Sequence, residues 1–250
     1  MRINKILIAL MLSSAVFSHL SVAACSDPPA REVNWAGCNK QGADLHNADL
    51  KRAVLIRAQL NGANLRGAQM EGAELGFAVL DGAHLDGADM KSARMVATQA
   101  KGAHFTKALL RHASFSRANL SHADFSAAQL QSTRFYGADL TGANFTHANL
   151  EAATLEQVHA IGAIFVDARA DQAKFLSAQL NKADFHHASL KKSQFDQADL
   201  TSADFTGADL TEASLTEATL YKTIFKDAIL DNTGWNDYKR CLLGSVGVCR

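Results

Sequence analysis

The sequence predicts an all-β solenoid, a chain wound round one narrow interior, and three observations predict it. A large apolar residue returns at every fifth position from Leu45 to Trp235, through 39 consecutive units in which only Ala100, Ala160 and Ala170 are small. Two places earlier stands Ala in 33 of the 39 units, the exceptions being Thr98, Thr133, Val158, Ser193, Thr223 and Thr233. Proline is missing from the whole stretch, since Pro28 and Pro29 both precede it, as a backbone stacked in hydrogen-bonded layers requires.

A period of five suits neither regular element. A helix turns about 100° per residue and would spread these side chains round its surface, while a flat strand would alternate them between faces. Burying them together takes a short extended piece and a corner, repeated every five residues, so that each large side chain points into one shared interior. The alanines follow from crowding, because a second inward position has little room in a core packed near crystal density. A repeat array of this kind has no globular boundaries and is read as one domain.

Four elements follow in chain order. Residues 1–24 read as an export signal: Arg2 and Lys5 begin it, Ile6 to Val16 form a short apolar run, and Val22-Ala23-Ala24 is a small-residue cleavage site. Ser13, Ser14, Ser18 and His19 interrupt the run and argue against a membrane span. Residues 25–40 form an N-terminal cap segment, 41–235 the solenoid, and 236–250 a C-terminal cap segment. The four cysteines, Cys25, Cys38, Cys241 and Cys249, stand two at each end outside the repeats. In an exported chain they oxidise, and pairing Cys25 with Cys38 and Cys241 with Cys249 closes two local loops. The competing reading takes Val22-Ala23-Ala24-Cys25 as a lipoprotein box with Cys25 lipidated, which leaves an odd thiol.

Within the solenoid, units such as Ala43-Asp44-Leu45, Ala63-Asn64-Leu65, Ala138-Asp139-Leu140 and Ala203-Asp204-Phe205 resemble the A(D/N)LXX motif of pentapeptide repeat proteins. Asp or Asn holds its place in 13 of 39 units, with departures such as Val54, Leu109, Ile164 and Ile229. The resemblance implies a right-handed quadrilateral β-helix, four units to a coil and about ten coils long. Phe105, Phe115, Phe125, Phe135 and Phe145, then Phe165 to Phe205 at the same spacing, recur at period ten. On a twenty-residue coil that sets Phe on two opposite sides and Leu on the others. Val33 to Cys38 before the repeats, and Trp235 with Cys241 to Cys249 after them, resemble the ends of exported members of the family. Trp35 and Trp235 are the expected lids over apolar ends that a solenoid must cap.

No catalytic motif is present: there is no phosphate-binding loop, Cys-x-x-Cys, His-Glu-x-x-His or nucleophile elbow. Two histidine columns have metal-ligand chemistry, His84, His104 and Asp124, and His147, Asp167 and His187 with His186 beside them. Straight columns do not converge on a tetrahedral centre, so no metal and no cofactor are assigned. With 25 basic and 25 acidic residues the net charge is zero, giving no bias towards nucleic acid or an anionic membrane. The charge is nonetheless uneven. Lys91 to Arg117 contribute six basic residues without an acid, and Asp196 to Glu217 six acids without a base.

These readings converge on a non-enzymatic, periplasmic or secreted rod that presents a rigid surface for protein interaction or structural scaffolding, its partner another protein or a second copy. Zero net charge and the export signal argue against the DNA-mimicking, topoisomerase-interacting members of the family. The partner surface is expected where outward positions turn apolar. Val54, Ile56, Phe77 and Val96 fall on one side within three adjacent coils, with Val79 just past the corner. Either a partner binds there or residues 26–40 fold over it as part of the cap. A second candidate surface is Ile161, Ile164 and Val166 around Phe165, the alternative there being that these residues fold inward to fill space left by small Ala160 and Ala170.

Overall fold

The computed structural model describes residues 24–250, so residues 1–23 of the export segment lie outside the described residues. Every unit repeats one local pattern. The Leu45 N–H donates to the Asn64 carbonyl (2.8 Å) and the Asn64 N–H to the Ala43 carbonyl (2.9 Å), which makes a parallel bridge between Asp44 and Asn64. A β-turn follows, closed by the Ala48 N–H on the Leu45 carbonyl at 3.1 Å, with Asn47 in the left-handed region at φ 56. Four such corners bring the chain back over itself, and the bridges join the ladder residue of each unit to the one twenty places on.

The result is a four-sided β-helix. Its first side is centred on the column through Trp35 and Leu55, its second on Lys40 and Leu60, its third on Leu45 and Leu65, its fourth on Leu50 and Met70. The Asp or Asn of the motif has a local role here. In Asp139 and Asn144 the side-chain Oδ1 accepts the N–H two residues on, from Thr141 and Thr146, each at 3.0 Å, which pins the start of the corner. Val54, Leu109, Ile164 and Ile229 keep their places in the bridge ladder without such a bond, so the backbone layers and not the Asx turns define the coil.

Inside, the phenylalanines stack. On the third side the rings from Phe105 through Phe125, Phe145, Phe165, Phe185 and Phe205 to Phe225 lie 4.7 to 5.2 Å apart and nearly parallel. The first side carries two shorter stacks, Phe115 on Phe135 and Phe175 on Phe195. Across the core the two sets meet edge to face at 5.6 to 6.0 Å, the geometry that aromatic quadrupoles favour. Losing one such buried ring costs on the order of 3–5 kcal/mol. Thr98, Thr133 and Thr233 stand buried in alanine positions because each hydroxyl has an acceptor: they donate to the carbonyls of Leu75, Leu110 and Leu210 at 2.8 to 2.9 Å. Buried hydroxyls without one would each cost stability.

Three expectations need correction. The bridge ladder begins at Asn34, so much of the segment 25–40 assigned to a cap already follows the coil. Trp35 is fully buried as the first large residue of that coil; it is covered by the segment from Ala24 and by Lys40, whose Nζ sits 3.8 Å from its ring centroid and donates to the Cys25 carbonyl. Finally, Ile161 and Ile164 do not turn inward beside Ala160 and Ala170 but stay 41% and 38% exposed, because the coil fixes which positions face out whatever the size of their neighbours.

At the other end the chain reverses after Trp235. It lays Arg240 antiparallel against Gly234 on the first side and Val246 against Ile229 on the fourth. Among the described residues no strand pairs over the second and third sides, and Leu220 and Phe225 stay half-buried, the Trp235 ring lying 5.1 Å from that of Phe225. Both disulfides tie down these ends, Cys25 to Cys38 and Cys241 to Cys249, with Cα atoms 5.4 and 4.8 Å apart. Cys38 and Cys241 are themselves buried in the core.

Candidate partner-binding surface

The corner between the first and second sides carries two outward columns. One runs Ala36, Ile56, Gly76, Val96 and onward in steps of twenty; the next runs Gly37, Arg57, Phe77, Ala97. The second column is the left-handed position of each turn, where glycine is at ease and large side chains are not. Phe77 occupies it at φ 59. It is also 56% exposed, so the ring gains little burial in return for the strained backbone. In the neighbouring column Gly76 has no side chain, and bare backbone lies between Ile56 on one side and Val96 on the other.

The outcome is a cleft of about 250 Å³ lined by Ile56, Glu74, Gly76, Phe77, Arg94 and Val96. Its apolar floor has charged margins. Arg94 Nε lies 3.5 Å from Glu74 Oε2, and the Arg57 guanidinium stands 5.4 Å from the Phe77 ring centroid, a cation–π distance. Of the residues expected here, Ile56, Phe77 and Val96 line the cleft together; Val54 is half-buried on the adjoining first side, paired in the ladder with Asn34 and Glu74. The alternative that residues 26–40 cover the patch does not hold, because that segment runs along the coil and Phe77 stays open. Sequence reasoning missed Gly76, Glu74 and Arg94. The signal for Gly76 was the column itself: a gap between two branched apolar residues twenty places before and after it.

The histidine columns remain surface features. His84 and His104 stack with ring centroids 4.9 Å apart, and His147 Nδ1 lies 3.8 Å from Asp167 Oδ2. His187 leans over Gly207 in the next coil, where any side chain at 207 would collide with it. Among the described residues no three His, Cys, Asp or Glu side chains gather to hold a metal ion. No helix among the described residues is long and apolar enough to cross a membrane.

Comparison with known proteins places the architecture. The chain is similar to HetL, a pentapeptide repeat protein involved in heterocyst differentiation regulation from the cyanobacterium Nostoc sp., at 27% identity over 84% of this chain and 92% of that one, with a TM-score of 0.53. It is also similar to QnrB1, a plasmid-mediated fluoroquinolone resistance protein (18% identity, 72% and 87% of the two chains, TM-score 0.40). A third likeness is a pentapeptide repeat protein of the Arabidopsis thaliana thylakoid lumen (28%, 39% and 64%, TM-score 0.32). No curated protein matches. With HetL the chain shares the right-handed quadrilateral β-helix. Family models for a pentapeptide repeat region match residues 128–205, and for pentapeptide repeats residues 38–76, 68–106, 101–137 and 193–232. Together these matches run through the stacked coils from Cys38 almost to Trp235, and the chain belongs to the pentapeptide repeat family.

Proposed function

We propose that this protein is an exported, non-enzymatic rod of about ten coils that holds a protein partner against the corner formed by Ile56, Phe77 and Val96, with Val54 at its margin. The export signal and the cystine-tied ends support a periplasmic or secreted address. One observation carries the partner reading. A phenylalanine stands, with more than half its surface in water, at a left-handed turn position that polar or small residues fill elsewhere along the coils, and an apolar ring left open beside an apolar cleft is disfavoured by solvent. The regulatory role of HetL fits a rod that acts by contact.

Phe77→Gly tests it. Glycine relieves the turn, so the variant should be more stable than the parent by roughly 1 kcal/mol in urea unfolding, while a photoreactive side chain at position 57 should lose the crosslinked product it forms in the cells that make the protein. If Phe77→Gly lowers stability, or leaves the crosslink intact, the ring is part of the scaffold and the corner is not a binding surface.

A further inference from the structure

The corner that holds the cleft extends the whole length of the rod, and its charge is divided. From Ala36 to Arg117 the two outward columns carry Arg57 and Arg117 and no acid. From Glu156 to Glu217, the last coil before the chain reverses, they carry Glu156, Asp196 and Glu217 and no base. Between the halves stands Tyr136, 43% exposed, its hydroxyl donating to Gln157 Oε1 at 2.8 Å. Counted in steps of twenty from Ala36 to Thr216, the stacked column has ten members, and Tyr136 is the sixth.

We infer that the partner at this corner is a second copy of the chain, laid antiparallel along the same ridge with the two-fold axis at Tyr136. This rests on the reading of the corner as a binding surface and names what binds there. Because every coil rises by the same step of about 4.8 Å, aligning the two Tyr136 residues fixes all other contacts at once. Arg57 then faces Glu217 of the other copy, and Arg117 faces the coil of Glu156. Val96 meets Leu176, a half-buried residue and the large aliphatic side chain in the acidic half of its column. Phe77 and the gap at Gly76 receive the coil of Asp196 and Gln197. Each of these contacts occurs twice, as an isologous interface demands.

The match is specific to this direction. Parallel copies in register would set arginine on arginine and carboxylate on carboxylate. Glu217 is also held in place, since the Gln197 amide donates to its Oε2 at 2.8 Å and the Tyr238 hydroxyl donates to its Oε1. The adjoining first side puts Arg94 opposite Lys174 and adds no attraction, so the contact is confined to the corner. Paired this way, two rods overlap along the coils from Ile56 to Thr216.

Sedimentation of the disulfide-intact protein should show a dimer that weakens at least about tenfold between roughly 0.05 and 1 M salt, since exposed charge pairs are screened. Arg57→Glu with Arg117→Glu should give a monomer of unchanged melting temperature, and adding Glu156→Arg and Glu217→Arg should restore the dimer. Tyr136→Cys alone should form a disulfide-linked dimer, because residues on a two-fold axis meet their own copies. A protein that stays monomeric at low salt overturns the pairing but leaves the corner open to a foreign partner, which the position-57 crosslink would then reveal as a product of other than twice the chain mass. A dimer indifferent to the charge reversals, or one that Tyr136→Cys fails to link, means that the copies meet elsewhere and likewise overturns it.

Discussion

In the outward turns single residues answer to neighbours in their own coil and the next, and His186 does so most directly. Its Nδ1 lies 2.5 Å from Asp184 Oδ1 and its Nε2 3.6 Å from Asp204 Oδ2 in the next coil. The hydrogen bond to Asp184 raises the imidazole pKa, burial works against it, and the charges of Asp184 and Asp204 add to the rise. A folded pKa above the unfolded one means that the stabilisation is complete below about pH 6.5 and is lost as pH climbs through the raised value. His186 is about a third exposed, so the effect stays under ~1 kcal/mol. His186→Gln should therefore cost stability in urea near pH 5.5 and almost none near pH 8.5; an equal cost at both would show that the ring acts by packing. Asp209 has the opposite sign. Burial pushes its carboxyl up, but hydrogen bonds from Thr211 and the pairing with Lys191 outweigh that and hold it low, so its contribution is present above the unfolded pKa and lost as acid is added.

At the scale of elements the ends differ from the middle, and they also divide what is legible in the sequence from what is not. The period of five makes every inward residue from Leu45 onward readable, because size and spacing alone decide what fits a core of fixed width. The boundary at residue 41 is less readable: Asn34 and Trp35 satisfy the motif, but Cys38 stands where alanine is expected and Lys40 where leucine is, so the first coil is disguised by its own disulfide. The antiparallel return of Arg240 and Val246 across two sides leaves no periodic trace at all, since a single pass over an edge repeats nothing. The cleft was legible in its apolar residues and not in its charged margins, which belong to a neighbouring side. Closing a loop of 8 residues between Cys241 and Cys249 stabilises that return by roughly 2 to 3 kcal/mol in the chain-entropy account. Replacing both by serine should raise amide exchange across residues 239–247 and expose Trp235, while the Phe125 to Phe185 coils exchange as before, because a solenoid transmits stability only between neighbours. Uniform loss of protection along the rod would contradict that locality.

For the whole molecule the controlling quantity is the coil of twenty residues, and the two periodicities in it make separable demands. The backbone ladder asks only that deletions come in fives, since every unit forms the same bridge and corner. The aromatic core asks for more. Phe recurs at period ten, so removing residues 141–160 returns each side to itself: Phe165 then stacks on Phe125 and Phe175 on Phe135, in columns that already hold rings. Removing 141–150 exchanges opposite sides, which keeps Phe on Phe but turns the C-terminal half half-way round the rod and breaks the charge division of the corner. Removing 141–145 shifts everything by one side and drives the Phe165 to Phe205 rings into columns built for Leu130 and Leu140. Overpacking of that kind costs about 1–3 kcal/mol for each misplaced ring. The expected order of stability in urea is therefore the twenty-residue deletion close to the ten-residue one, and the five-residue deletion well below both, although all three keep a β-sheet spectrum. Antiparallel pairing should weaken even in the first, which keeps Arg57 and Glu217 on one corner but removes Glu156, the residue that faces Arg117. Equal stability for the five- and twenty-residue deletions would mean that the stacked backbone, and not the alternation of Phe and Leu, selects the register of the core.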